Sequence, residues 1–322
     1  MLRRIVVAFL LIWLAVSLVF FAVRLAPGEP SDFLLPPSAA PEQVAALRSE
    51  LGLDRPLAIQ YVDWIARVLR GDLGDSFAHG VPVSTVLSHA LPVSLLLGVT
   101  SLFLTFLIGI GLAIVQVVFR ERWVDRLLTA ASVALYAAPS YWLALGLVAF
   151  FTYGVSALGL PSWSRLPAFG LASPASAGRG WGAVADVARH LVLPVTVLTV
   201  IGAAGIARYA RTALVEIARS DWVRTARAKG LPRRFVLGRH MLANALPPLV
   251  VLLMLSLPGV VAGSVFVESV FALPGMGRAM LQAIAARDYP VVMGATLLYA
   301  AIVIVANAAA DVLLRVVDPR RR

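Results

Sequence analysis

Six apolar runs divide this chain, at residues 5–23, 91–119, 127–151, 191–215, 242–267 and 291–317. A helix rises 1.5 Å per residue, so about 20 apolar residues cross about 30 Å of hydrocarbon. Each run is close to that length or above it. No single water-soluble core could absorb so much apolar surface. Of the 322 residues 60% are hydrophobic and only 14% charged, against roughly 25% charged in a soluble domain. The chain therefore has to fold as a helical membrane protein, because within lipid a helix satisfies its own backbone donors and acceptors. The first run follows Arg3 and Arg4, as the apolar part of a secretory signal would. It exceeds the usual signal length of about 7–15 apolar residues, and no small-x-small cleavage site follows before Arg24 and Pro27. It reads as an uncleaved first span.

Between the first two runs, residues 27–89 are polar and predict two short amphipathic helices. Residues 41–51 put Val44, Leu47 and Leu51 on one stripe and stop at Gly52. Residues 56–70 put Leu57, Tyr61, Trp64, Ile65 and Val68 on another and stop at Gly71. Proline near the start and glycine just past the end is the expected asymmetry of a helix. Residues 152–188, rich in Gly, Pro and Ser, read as a loop. The expected division is a first span at 1–26, an exterior helical domain at 27–89 and a five-helix core at 90–318, with a cytoplasmic loop at 218–241. Eighteen of the 28 Lys and Arg fall on the side of the N-terminus, although the segments on the other side are longer. The positive-inside rule then puts both termini in the cytoplasm and accounts for the net charge of +11 without a nucleic-acid partner.

The segment between the fourth and fifth runs carries more structure than that rule requires. Ser220 or Asp221 can cap a short helix, Gly230 can end it in a left-handed conformation, and Pro232 can start a second short helix that runs into the next span. Small residues, Ala226 and Ala228, stand beside the cations Arg224, Arg227 and Lys229. Small side chains let another protein approach the helix closely, and the cations can pair with acidic or carbonyl groups.

The run Asp221-Trp-Val-Arg-Thr-Ala-Arg-Ala-Lys-Gly-Leu231, followed by Arg239-His240 and Asn244-Ala-Leu-Pro247, resembles the cytoplasmic coupling loop of ABC importer permeases. The branch it resembles is the dipeptide/oligopeptide and nickel family, in the member with the large outer loop after the first span. Arg24-Leu-Ala-Pro-Gly28, Leu51-Gly-Leu-Asp-Arg-Pro56, Gly71-Asp-Leu-Gly-Asp-Ser76, Glu268-Ser-Val-Phe-Ala-Leu-Pro-Gly-Met-Gly277 and Arg287-Asp-Tyr-Pro290 agree with that branch. The resemblance implies an all-α, six-span type I ABC importer permease fold in the cell's inner membrane. It implies a second homologous permease, two ATP-binding subunits that hold ATP and magnesium, and an extracytoplasmic substrate-binding protein. It places Asp221, Arg224, Thr225, Ala226, Arg227, Lys229 and Gly230 in the contact with the ATPase. Arg224, Thr225 and Ala226 stand where the wider class has Glu-Ala-Ala, so Arg replaces the consensus Glu, a departure that the peptide branch shares. The implied cargo is a di- or oligopeptide, with nickel chelates and glutathione as alternatives.

The rival classes lack their chemistry. A P-loop needs Gly-Lys-Ser/Thr, and the single lysine, Lys229, lies between Ala228 and Gly230, so ATP hydrolysis belongs to other chains. A proton- or sodium-driven carrier would place ionisable groups at mid-membrane, whereas Glu216, Glu268 and Asp311 read as lying toward the ends of their spans. The histidines, His79, His89, His190 and His240, fall in expected loops or helix ends, with no His-Glu-x-x-His pair and no metal site. Gly259-x-x-x-Gly263 permits close helix packing, within the chain or between permeases. Pro139, Pro194 and Pro258 are expected to kink their spans. The turn Leu273-Pro-Gly-Met-Gly277, bounded by Phe271 and Met280, reads either as an outer gate built on Phe271, Pro274, Gly275 and Gly277 or as a tight connector.

Overall fold

The computed structural model describes residues 2–36, 38–174 and 180–317. The chain divides into two compact units, Met1–Ser94 with Pro274–Val305 and Leu95–Leu273 with Ala306–Arg322. Regular structure among the described residues is helical apart from one isolated bridge, Asp75 to Pro82. Five helical stretches are long and apolar enough to cross a bilayer, and the apolar part of the first helix, Phe9–Leu25, is a shorter sixth.

In the first unit, α1 (Leu2–Leu25) meets α4 (Leu57–Leu69). The stripe expected on α4 faces inward: Trp64 is buried with Val16 and Phe20 of α1, and Tyr61, Ile65 and Val68 pack around them. Tyr61 and Ser17 share a hydroxyl hydrogen bond of 2.6 Å, so the polar tip of the ring is satisfied where its body is buried. The helix α2 is a single turn, Ser31–Leu34. The stripe of α3 (Pro41–Glu50) is only half-buried, and no residue of that helix is fully covered. Both expected stops hold, with Gly52 at φ 65° and Gly71 at φ 81°.

The same unit contains the start of α5 (Val83–Val118), α14 (Met276–Ala285) and most of α15 (Tyr289–Val317). Val83, Leu87 and Ala90 pack with Met276, Ala283 and Val291. Asp288 is 1% exposed and acts as a hub. It accepts from the Ser76 hydroxyl, from the Phe77 and Ala78 amides at 3.0 and 3.1 Å, and from the Val291 amide at 3.5 Å.

The second unit holds the rest of α5, α6 (Trp123–Ala137), α7 (Ser140–Ala149), a π-helical turn (Phe150–Gly154), α8 (Val155–Ala157) and α9 (Trp181–Ile217). After the segment 220–242 come α12 (Ala243–Ala262) and α13 (Val265–Val270). A Cβ on Gly109 of α5 would lie 2.7 Å from the Ile206 side chain of α9, so only glycine allows this approach.

Two expectations change. The third run is not one helix: Ala138, forced extended (ψ 132°) ahead of Pro139, separates α6 from α7, and the span begins at Ser140. Pro194 and Pro258 lie inside continuous helices, as do Pro92, Pro247 and Pro248. The helices α5 and α9 begin eight and ten residues before their apolar runs, at 36 and 37 residues, about 54–56 Å long at 1.5 Å per residue. Consequently His89 and His190 are inside helices rather than in loops or at ends. His190 is buried and its Nδ1 lies 2.8 Å from the Asp186 carbonyl. Glu268 is fully buried on α13, while residues 320–322 and the side chain of Asp311 lie outside what is described.

Candidate coupling site

The segment after α9 folds as two short helical pieces. Ser220, extended at ψ 148°, holds the N-cap position of α10 (Asp221–Ala228), but its hydroxyl turns back to the Ile217 carbonyl at 2.6 Å rather than to the helix amides. Asp221 adds an acid in the first turn, where the helix dipole favours it. Gly230 follows at φ 74°, with nothing within 4 Å of where a Cβ would lie. Pro232 then opens α11 (Arg233–Phe235), which runs through a π-helical stretch (Val236–Leu242) into α12. This is the helix–turn–helix that the caps and breakers predict. Since the site of Gly230 is open and only its backbone is special, Gly230→Ala should cost about 1 kcal/mol. A fall of a few degrees in melting temperature would show this; a far larger fall would mean that the residue makes contacts absent here.

The two faces of α10 differ. Val223 and Ala226 are buried in a core with Ala113 of α5, Ala210 and Leu214 of α9, Val236 and Met241, and Ala245 and Leu249 of α12. Asp221, Arg224, Thr225, Arg227, Ala228, Lys229 and Gly230 are exposed. Of the two alanines expected to admit a partner, Ala226 faces this chain's own core, and its small size serves that packing. Ala228 faces out. Arg224 pairs with Asp221 at 3.3 Å, both exposed, a pair of little energetic weight. The Thr225 hydroxyl is spent on the Asp221 carbonyl at 2.9 Å.

Two contacts that the sequence reading did not find strengthen this seat. Arg211 of α9 grips Asp125 of α6 through both carboxylate oxygens, Nε at 3.0 Å and Nη2 at 2.8 Å, and Asp125 also accepts the Glu121 amide at 3.0 Å. Arg233 Nη2 donates to the Val118 carbonyl at the C-terminus of α5, 2.8 Å away, where a cation suits the helix dipole. An acid in the first turn of α6 and an arginine within α9 were the available signals. Their separation in sequence hid the pairing. The core joins α10 to α5, α9 and α12, and the Arg211–Asp125 grip ties α6 to α9 beside it.

The other candidate residues are dispersed. Gly259 has open space around it, and Gly263 is the residue that ends α12, at φ 73°. Phe271 is buried at the end of α13, and its carbonyl accepts the Gly170 amide at 2.9 Å. Pro274 is exposed, whereas Gly275 and Gly277 are buried at the start of α14, whose Met276 amide donates to Ser94 Oγ at 2.7 Å. The described residues contain no cluster of three or more His, Asp or Glu able to hold a metal.

Comparison with known proteins gives the same reading. Residues 106–322 match the family model "Binding-protein-dependent transport system inner membrane component", and residues 1–98 match the model of its N-terminal part. The chain is 36% identical over 307 residues to a protein of Brucella suis biovar 1 (strain 1330) named as a peptide permease, covering 94% of this chain and 92% of that one. It is 34% identical over 305 residues to the glutathione transport system permease protein GsiC of Salmonella typhimurium (strain LT2), covering 95% and 92%. In fold it is similar to a chain of the MetNI methionine ABC transporter solved in inward-facing form, with a TM-score of 0.52 at 21% identity over 73% of this chain and 97% of that one. A short helix seated on the ends of apolar helices is thus found in a chain matched by both family models. The chain belongs to the binding-protein-dependent transport system inner membrane components, the multi-pass permease subunits of ABC importers, in which separate chains hydrolyse ATP.

Proposed function

We propose that this chain is one of two homologous permeases that form the pore of a peptide importer, driven by two ATP-binding subunits and fed by an extracytoplasmic binding protein. The peptide cargo is supported by the name of the Brucella relative. Glutathione, itself a tripeptide, is the second reading, favoured by the Salmonella relative. Both termini lie in the cytoplasm, which puts α10 on the side of the motor.

One observation carries the mechanism: α10 buries Val223 and Ala226 in its own chain and presents its cations and Ala228 outward. ATP and magnesium act on the partner subunits. Their closure moves α10, and its seat moves the helix ends, so that access alternates as a rigid-body switch between two packings. Co-expression with the neighbouring genes tests the assembly and the cargo together. The expected result is a complex with two ATPase chains that accumulates trialanine in vesicles only with ATP and the binding protein. Uptake by this chain alone would overturn the reading.

A further inference from the structure

The helix α9 has a second face that the coupling role does not use. Gly205, Arg208, Tyr209, Thr212, Ala213 and Glu216 follow one another at intervals of three and one, which puts them on a single stripe. Ala203, Ala207, Ala210 and Leu214 are buried on the opposite side. The stripe walls a cavity of about 760 Å³ that Tyr136 and Ser256 also line. The Arg208 guanidinium lies over the Tyr136 ring at 4.8 Å, and neither Arg208 nor Glu216 forms an ion pair with a described residue. Facing lipid, a charged side chain costs roughly 3 kcal/mol at the bilayer centre, and such residues as a rule face water or protein. A concave wall of hydroxyls, one cation and one anion is therefore a wet surface.

We infer that this stripe is the wall of the inner half of the translocation path, where Arg208 receives the carboxylate and Glu216 the ammonium group of a passing peptide. The two residues are eight positions apart, about 12 Å along the helix, close to the length of an extended tripeptide at about 3.5 Å per residue. Tyr136 and Tyr209, both exposed, supply side-chain-tolerant aromatic surface between the charges. The inference rests on the peptide reading above.

The chain has no cysteine, so a single introduced thiol reports cleanly on it. In inside-out vesicles holding the whole complex, Thr212→Cys should react with a charged, membrane-impermeant methanethiosulfonate, whereas Leu107→Cys, on an exposed apolar face of α5, should not. Trialanine and binding protein sealed in the lumen, with ATP added outside, should slow the labelling. Arg208→Gln should lower trialanine uptake about tenfold or more, as expected from losing a charge-assisted hydrogen bond. ATPase stimulation by the binding protein should persist, and Arg208→Lys should recover part of the uptake. An unreactive Thr212→Cys would place the stripe against lipid or a second permease and overturn the inference. Wild-type uptake with undiminished uptake by Arg208→Gln would overturn it alone. No trialanine uptake by the wild-type complex would overturn the peptide reading beneath it.

Discussion

Replacing Ala228 with tryptophan should abolish most ATP-driven uptake while leaving the chain folded. Ala228 is exposed and lies outside the core beneath α10, so a large ring there disturbs no contact within this subunit. It would disturb a groove that closes over the helix: overpacking costs typically about 1–3 kcal/mol, and uptake should fall roughly ten- to hundredfold. ATP hydrolysis should continue but lose its response to the binding protein. Ala226→Trp is the informative contrast, because Ala226 is buried among Val223, Leu214 and Met241. That variant should lose melting temperature as well as uptake, by lifting α10 from its seat. Were Ala228→Trp to transport normally, α10 would not dock on the motor through its outward face.

Asp288→Ala should loosen the first unit as a whole. Its carboxylate takes the Ser76 hydroxyl and the amides of Phe77 and Ala78, from a position over 200 residues distant in sequence. Removing it leaves the Ser76 hydroxyl buried without its acceptor, at about 1–3 kcal/mol, and also unpairs the less buried amides of Phe77 and Ala78. Trypsin should then cleave at Arg70, between α4 and the 76–78 turn, roughly tenfold faster or more than in wild type. Asp288→Asn keeps one acceptor oxygen and should fall between. Unchanged cleavage in Asp288→Ala would mean that α4 and its neighbours are held without this hub.

Where a structural rule is local, the sequence was readable. The start of α10, its stop at Gly230 and the restart at Pro232 follow from backbone preferences that neighbouring residues carry themselves. The stripe on α4 was readable because Trp64, Tyr61 and Ile65 are large and alternate with charges. Hydropathy, however, measures the bilayer and not the helix: α5 and α9 run on beyond their apolar runs, and His89 and His190 went with them. The orientation of Ala226 was hidden for another reason. An alanine suits either a packed or an exposed face, and which one it takes depends on Leu214, Met241 and Leu249, residues on other helices. The grip of Arg211 on Asp125 and of Asp288 on the 76–78 turn joins residues 86 and more than 200 positions apart, a distance at which one sequence offers no pairing signal.

The widened stretch at Val236–Leu242 has a consequence for chain length. A π-helical turn accommodates a residue more than an α-helical one. Loss of one residue there could be absorbed by a return to α-helical bonding, with the helices on either side keeping their rotational phase. Descendants of this chain are thus free to shorten at the joint while α12 continues to show the same faces to its neighbours. A deletion within α10 or α12 would have no such slack and would turn every later side chain by about 100°.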